Sequence, residues 1–328
     1  MIPMRIILAT LLCVSLSNPA HAQSTTTAGA DYPSKPIKLV VPFPPGGPMD
    51  TLARLISADL RKRWNAVAVV ENRPGAGTII GTDAVAKSVP DGYTLLVTSP
   101  AGIVQLPWMQ KVPYDPLKDL QAISVITYLP QVLAVPATSS IRSFADFQAY
   151  AATHKGSMSF ASIGAGSTSH IYGELLNGKL SAQAVHSPYK GDAPAMMDLI
   201  AGRVDYLFIS AVSAVTFAER GSIRLLAITG TKRLTSLPQV PTFKELGIQD
   251  FELVGWYGVL SPTGVPAPIA EKLHKTLQEA YRTKAFSDFL SAAGITSESL
   301  SRSEFSSQVK REYEAWGRLI RQNHIQLE

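Results

Sequence analysis

Short apolar runs alternate along this chain with segments whose apolar residues recur every three to four positions. That alternation builds α/β units around mostly parallel sheets. Residues 37–41 read as a buried-type strand stopped by Pro42, and Leu52, Leu55, Ile56 and Leu60 then mark one face of a helix, with Pro48 suited to its first turn. A second unit runs from a strand at 67–70 through Asn72-Arg73-Pro74-Gly75-Ala76-Gly77 into a helix ending near Ser88. The turn Pro90-Asp91-Gly92 returns the chain to a strand at 94–98.

The pattern changes partner near Thr127, where a second lobe is expected to begin. A strand at 132–135 precedes a capping signal made by Ser143 and Asp146. Two glycine-punctuated units follow. A strand at 158–162 leads through Gly164-Ala165-Gly166 into a helix over 167–177, and a strand at 183–187 leads through Pro188-Tyr189-Lys190-Gly191 into a helix over 192–201. Strands at 204–209 and 223–228 continue that sheet, residues 253–260 cross back, and helices near 266–282 and 303–323 complete the first lobe. The expected organisation is thus two mixed sheets flanked by helices: residues 32–126 and 255–328 form lobe one, residues 127–254 form lobe two, and two crossing strands act as hinges.

The N-terminus changes the compartment. Arg5, an apolar run over 6–16 and the small residues around Ala20-His21-Ala22 read as a cleavable export signal over 1–22. The run of about eleven residues is too short for a spanning helix, which needs roughly 20. The mature chain is expected to begin near Gln23, with a disordered leader over 23–31, and to work in the periplasm. Removal of residues 1–22 from the 328 leaves 306, long enough for two packed lobes and the cleft between them.

The single cysteine, Cys13, falls inside the signal and follows Leu12, so lipid attachment, disulfides and cysteine-ligated metal are not expected. The formal charge of +5 falls to +4 without Arg5, and no run of Lys and Arg supports nucleic-acid binding.

The candidate chemistry lies in four strand-to-helix loops, carrying Pro45-Gly46-Gly47, Pro74-Gly75-Ala76-Gly77, Gly164-Ala165-Gly166-Ser167 and Tyr189-Lys190-Gly191. Such glycines make tight turns. They also let the backbone approach a ligand, and free amides at a helix start receive an anion. Loops of this kind occupy the carboxyl ends of the strands, and two belong to each lobe, as a cleft gripped from both sides requires.

Asp50 stands in the first turn of its helix, four residues before Arg54; it either stabilises the helix or offers a hydrogen-bonding group at the cleft rim. Asp192 is a solvated helix-start residue or a selector for an ammonium or hydroxyl group. His170 pairs locally with Glu174 or faces ligand, and the remaining histidines are scattered without a metal set. Enzyme signatures are lacking: the run from Gly164 to Ser169 is neither GxGxxG nor GxSxG, and no P-loop lysine follows a glycine-rich turn.

The segments VPFPPGGPMDTLAR (41–54), ENRPGAGTIIGTDAVAKSVPDGYTLL (71–96), PYDPLKDL (113–120), FASIGAGSTSH (160–170), PYKGDAPAMMDLIAGRVD (188–205), LPQVPTFKELG (237–247) and GWYGVLSPTGVP (255–266) closely resemble the Bug family, the extracytoplasmic receptors of tripartite tricarboxylate transporters. The resemblance spans nearly the whole mature chain. It implies a two-lobed type II periplasmic-binding-protein fold, monomeric and without catalysis or cofactor, that closes on a small organic acid, an acidic amino acid or an aromatic carboxylate. The implied partner is a membrane permease of one large and one small subunit.

In such receptors one carboxylate is held by the first two loops of lobe one, partly through water. Phe43, Pro45, Gly46, Gly47 and Asp50 match there, with Gly75, Ala76 and Gly77, and Ser99 follows the third strand. The matching lobe-two positions are Ser162, Gly164, Gly166, Ser167, His170, Tyr189, Lys190, Gly191, Asp192 and the end of the strand carrying Asp205. The segment 101–108 departs from the family by lacking an asparagine-containing pattern. A ligand-sensing subunit of a signalling system is the alternative role for the same fold.

Overall fold

The computed structural model describes residues 31–327 except Ala293, so the expected export signal and all but the last residue of the leader lie outside the described residues. The first sheet begins with β1 (Ile37–Val41), in which only Lys38 is exposed. Helix α1 (Pro48–Trp64) follows with Pro48 in its first turn; it buries Met49, Leu52, Ala53, Ile56 and Leu60 and ends at Asn65 in a left-handed conformation. Then come β2 (Ala68–Asn72), a short 3-10 turn (Ala76–Thr78), α2 (Ile79–Ala86) and β3 (Thr94–Thr98). Strands β2, β1 and β3 are parallel, with Ile37 opposite Ala68 and Lys38 opposite Thr94.

The chain then lays down β4 (Leu120–Leu129), turns at Pro130 and enters the second sheet as β5 (Gln131–Pro136). Helix α3 (Phe144–Thr153) starts with the expected capping box, in which the Asp146 amide donates to Ser143 Oγ at 3.1 Å and the Ser143 amide to Asp146 Oδ2 at 2.9 Å. The rest of this lobe comprises β6 (Ser159–Ser162), α4 (Thr168–Leu180), β7 (Val185–Pro188), α5 (Asp192–Ile200), β8 (Tyr206–Ser210), α6 (Ala211–Glu219) and β9 (Ile223–Ile228). The return strand β10 (Gly255–Pro262) leads to α7 (Ala267–Tyr281), α8 (Lys284–Ser291) and α9 (Arg302–Gln322).

Among the described residues both sheets have five strands on one plan, ordered β2-β1-β3-β10-β4 and β7-β6-β8-β5-β9. In each, the single antiparallel strand is the one that has just arrived from the other lobe: β10 runs against β3 and β4, and β5 against β8 and β9. The two sheets are therefore joined by two crossings, β4 to β5 and β9 to β10, as the pattern of apolar runs implied. Strand β4 and helices α6 and α8 are elements that the sequence pattern did not indicate.

Apolar burial continues across the crossings. One cluster holds Leu96 and Val125 of the first sheet together with Leu133 and Phe208 of the second. Its bridge is aromatic: Trp316 of α9 packs on Tyr172 of α4 with ring centroids 5.6 Å apart, and Phe251 stacks on Tyr172 at 5.3 Å. The Tyr172 hydroxyl donates to the Leu253 carbonyl in the second crossing. The outer faces of the sheets have their own clusters, under α1 and α7 in the first lobe and under α5 and α6 in the second.

Candidate ligand-binding site

The four glycine loops occupy the carboxyl ends of β1, β2, β6 and β7, and those of the two lobes meet. A β-carbon on Gly77 would lie 2.9 Å from Leu106 Cδ1 and 3.2 Å from the Ala165 carbonyl oxygen of the opposite lobe, and one on Gly166 would collide with Leu106. Both glycines have positive φ, +63° and +75°, so two lobes approach through backbone where a side chain has neither room nor favourable torsion. Gln105 ties the same seam: its Nε2 donates to Thr168 Oγ1 at 3.0 Å, and Thr168 Oγ1 lies 3.2 Å from Gln105 Oε1. Gln105 is fully buried in the π-helical turn Ala101–Gln105. Sequence reasoning missed this residue, because nothing local distinguishes it from a core-packing position.

In the first loop, Phe43, half-buried, offers its carbonyl to Asn72 Nδ2 at 3.1 Å, and Pro45 is exposed. The Gly46 amide is already engaged, donating to Asp50 Oδ2 at 3.0 Å, and Arg54 Nε donates to the same oxygen at 2.9 Å. Burial of Asp50, only 3% exposed, favours its neutral form, but hydrogen bonds from Arg54, Gly46 and Asn72 outweigh this and hold its carboxyl below the usual range. Asp50 therefore braces the loop from behind. Arg73, just before the second loop, pairs with Glu71, which also holds Lys38.

The second loop carries an unusual run of positive φ, with Gly75 at 134°, Ala76 at 46°, Gly77 at 63° and Thr78 at 94°. Non-glycine residues in this region cost about 1–3 kcal/mol each and persist where the surroundings impose them. The run leaves the amides of Ala76 and Gly77, like that of Gly47, without a hydrogen-bond partner among the described residues. Ser99 follows β3 at the same end of the sheet and is half-buried.

In lobe two more of the loop amides are spent internally than expected. Gly164 donates to Ser162 Oγ at 3.2 Å, Gly166 to His170 Nδ1 at 3.1 Å, and Gly191 to the Ile163 carbonyl at 3.1 Å. Ser162, fully buried, also meets His186 Nε2 at 2.7 Å, and Ser167 caps α4 by accepting from the His170 amide at 3.2 Å. Tyr189 is turned onto α5, its hydroxyl donating to Asp198 Oδ2 at 2.6 Å, whereas Lys190 is exposed. Asp205 is not brought to the seam: it precedes β8 at the opposite end of the sheet, where its carboxylate accepts from the Ser159 amide at 2.7 Å. The end of β8 that does reach the seam carries Ser210.

The expectation of scattered histidines also needs correction. His170 and His186 stack with ring centroids 4.0 Å apart, and Glu174 joins them so that one ligand atom of each residue lies within 4.8 Å of the others. His170 Nε2 is 3.9 Å from Glu174 Oε1, beyond hydrogen-bond reach. The set does not suit a cation. Because Nδ1 accepts the Gly166 N–H, the neutral His170 ring carries its proton on Nε2 and has no lone pair facing the cluster. Burial first, and His186 second, depress the His170 pKa to about 3, so the ring is neutral and acts as a brace for the Gly164–Gly166 turn.

Two open surface depressions, of about 420 and 560 Å³, are each lined by lobe-one residues alone, and Leu327 on the edge of the smaller also lies 3.3 Å from where a β-carbon on Gly166 would stand. One gathers Trp108, Arg321 and His324 near the C-terminus, and the other runs along β2 beside Arg54 and Arg61. Neither brings together loops from both lobes, which is the property that makes the seam the candidate ligand site.

Two hinged α/β lobes meeting through strand-to-helix loops define a periplasmic-type solute-binding protein, a binding module rather than an enzyme. The chain belongs to the tripartite tricarboxylate transporter receptor family, whose model matches residues 52–325. It is 34% identical to Protein BugT of Bordetella pertussis over 90% of this chain and 91% of that one. MatC from Rhodopseudomonas palustris, solved with bound malate, is 29% identical with a TM-score of 0.82, covering 88% of this chain and all of that one. An R. palustris structure with adipate is 32% identical, also with a TM-score of 0.82, over 90% of this chain and 99% of that one. Among the described residues no helix is long and apolar enough to cross a membrane.

Proposed function

We propose that this protein is the periplasmic receptor of a tripartite carboxylate transporter, which closes its lobes on a small carboxylate and delivers it, as a monomer, to membrane-embedded permease subunits. The observation that carries the reading is the meeting of the Gly75–Thr78 loop with the Gly164–Ser167 loop, with the Gly47, Ala76 and Gly77 amides unengaged beside it. With Arg54 and Arg73 both paired to carboxylates, neutral backbone donors and water remain to hold the ligand anion. Malate and adipate in the related structures support the choice of ligand class. The candidate contacts are Gly47, Ala76, Gly77 and Ser99 from lobe one, with Asp50 bracing their loop, and the Gly164–Ser167 and Tyr189–Asp192 loops from lobe two.

Closure follows because a ligand that touches both lobes binds the closed form better than the open one. A micromolar dissociation constant corresponds to about 8 kcal/mol, which a few charge-assisted hydrogen bonds of about 1.5–3 kcal/mol each and desolvated apolar contact supply. Native mass spectrometry of freshly purified protein should reveal a co-purified acid. Thermal shifts against mono-, di- and tricarboxylates should then identify stabilising ligands, worth about 2.7 kcal/mol at a hundredfold excess over Kd. No shift with any carboxylate would overturn the reading. Uptake surviving deletion of the receptor would remove the transport role, and an exported form that does not begin near Gln23 would remove the expected signal cleavage.

A further inference from the structure

Asp192 opens helix α5 but does not cap it: the N-cap is Gly191, and no side-chain cap is formed. Its carboxylate turns instead towards the next strand-to-helix loop of the same lobe, where Oδ2 accepts the Ser213 hydroxyl at 2.8 Å. Ser213 is held in turn by Ser210 Oγ, which donates to it at 3.3 Å. A serine has one hydroxyl proton, and here it is committed to Oδ2. No described residue donates to Oδ1, and Asp192 has no ion-pair partner among the described residues.

Lobe one lies within electrostatic reach of this carboxylate. Burial first, and the Asp192 charge second, hold the phenol of Tyr257, on the crossing strand β10, in the protonated form. The Tyr257 hydroxyl has no hydrogen-bond partner among the described residues. Val212, next to Ser213, packs with Phe43 and Tyr257 on the apolar cluster of lobe one, so the Asp192–Ser213 pair stands against the seam. The carboxylate thus gives the lobe-two side of the seam an acceptor without a cation, whereas the lobe-one loops present neutral donors.

Those two sides ask for different ends of a ligand. The anionic end suits the lobe-one amides, whereas a second carboxylate brought to Asp192 would place two negative groups together in a partly dry site. Burial already raises the Asp192 pKa, and the single Ser213 hydrogen bond only partly offsets it.

We propose that the ligand of this receptor carries, besides its carboxylate, a hydrogen-bond-donating ammonium or hydroxyl group received by Asp192, which makes amino or hydroxy acids its substrate class and excludes simple dicarboxylates. This rests on the carboxylate-receptor reading and narrows it. Asp192 sets specificity; the lobe-one amides set the requirement for an acid.

Calorimetry with matched acids of four to six carbons tests the assignment, each length supplied as the alkanoate, the hydroxy acid, the amino acid and the dicarboxylate. Amino or hydroxy acids are expected to bind at least tenfold tighter than the alkanoate and dicarboxylate of the same length. Asp192→Asn should cost the amino acids at least tenfold while improving the dicarboxylates; Ser213→Ala, which keeps the charge, should preserve the wild-type ranking. Dicarboxylates that bind the wild type as tightly as the amino and hydroxy acids would overturn the inference while leaving the receptor reading intact, and so would a ranking unchanged in Asp192→Asn. Failure of every carboxylate to bind would overturn both. The wild-type ranking decides the matter even if the Asp192→Asn variant does not fold.

Discussion

His170 and His186 are the residues whose chemistry depends most on their surroundings. Both rings are buried, and burial depresses their pKa values to about 3 and about 4, from 6.5 in the open chain. The unfolded protein therefore takes up protons near pH 6.5 that the folded protein refuses until well below, so stability is greatest above about pH 6.5 and declines as the pH falls towards 4. Each ring contributes a slope of at most about 1.4 kcal/mol per pH unit in that window. Denaturant melts at pH 7, 6 and 5 should show this decline, and His186→Asn should reduce the slope by roughly half. A stability that is flat from pH 7 to 5 would mean that the rings open to water more readily than their packing against Phe160, at 4.8 Å from His186, indicates.

At the scale of elements, the segment between β3 and β4 does more than connect. Its π-helical turn places Gln105 against Thr168 at the start of α4, and the 3-10 turn Leu106–Trp108 wedges Leu106 between Gly77 and Gly166. The hydrogen bonds run between lobes, so they exist only while the lobes are together. Gln105→Ala should therefore weaken closure by about 0.5–1.5 kcal/mol, the usual net worth of such a bond, visible as a roughly 2- to 12-fold loss of ligand affinity. Scattering should show a matching shift towards the extended form. An unchanged affinity would assign Gln105 to packing alone.

Across the whole molecule, an aromatic bridge beneath the hinge packs the two lobes together. Trp316 is fully buried between Tyr172 of lobe two and the first-sheet cluster. Truncation of a buried tryptophan costs about 3–5 kcal/mol. In Trp316→Ala most of that loss falls on the connection between lobes, so calorimetry should resolve two unfolding transitions where the parent protein shows one. A single transition in the variant would locate the coupling elsewhere, in β4 and β10.

Much of this architecture was legible in residue order, because it follows from local chemistry. The helical face of Leu52, Ile56 and Leu60, the Ser143–Asp146 cap and the glycine turns each depend on neighbours within a few positions, and each lies where the pattern put it. Strand β4 escaped because its polar residues are satisfied from far away: Ser124 Oγ accepts from Gln278 Nε2 at 2.9 Å, and Thr127 Oγ1 donates to the Thr296 carbonyl at 2.7 Å. No local period marks a polar residue as core when its partner lies in another element.

The same division runs through the site. Composition and spacing by themselves placed the glycine turns at which the backbone of the two lobes comes close, since torsional freedom belongs to the residue. Which amides stay unengaged, why Asp205 is remote, and how Asp192 meets Ser213, Tyr257 and the seam were decided only by tertiary packing. Hydrogen-bond capacity is shared among groups tens of residues apart, as in Gln105 with Thr168, and only the folded chain says who has already taken it.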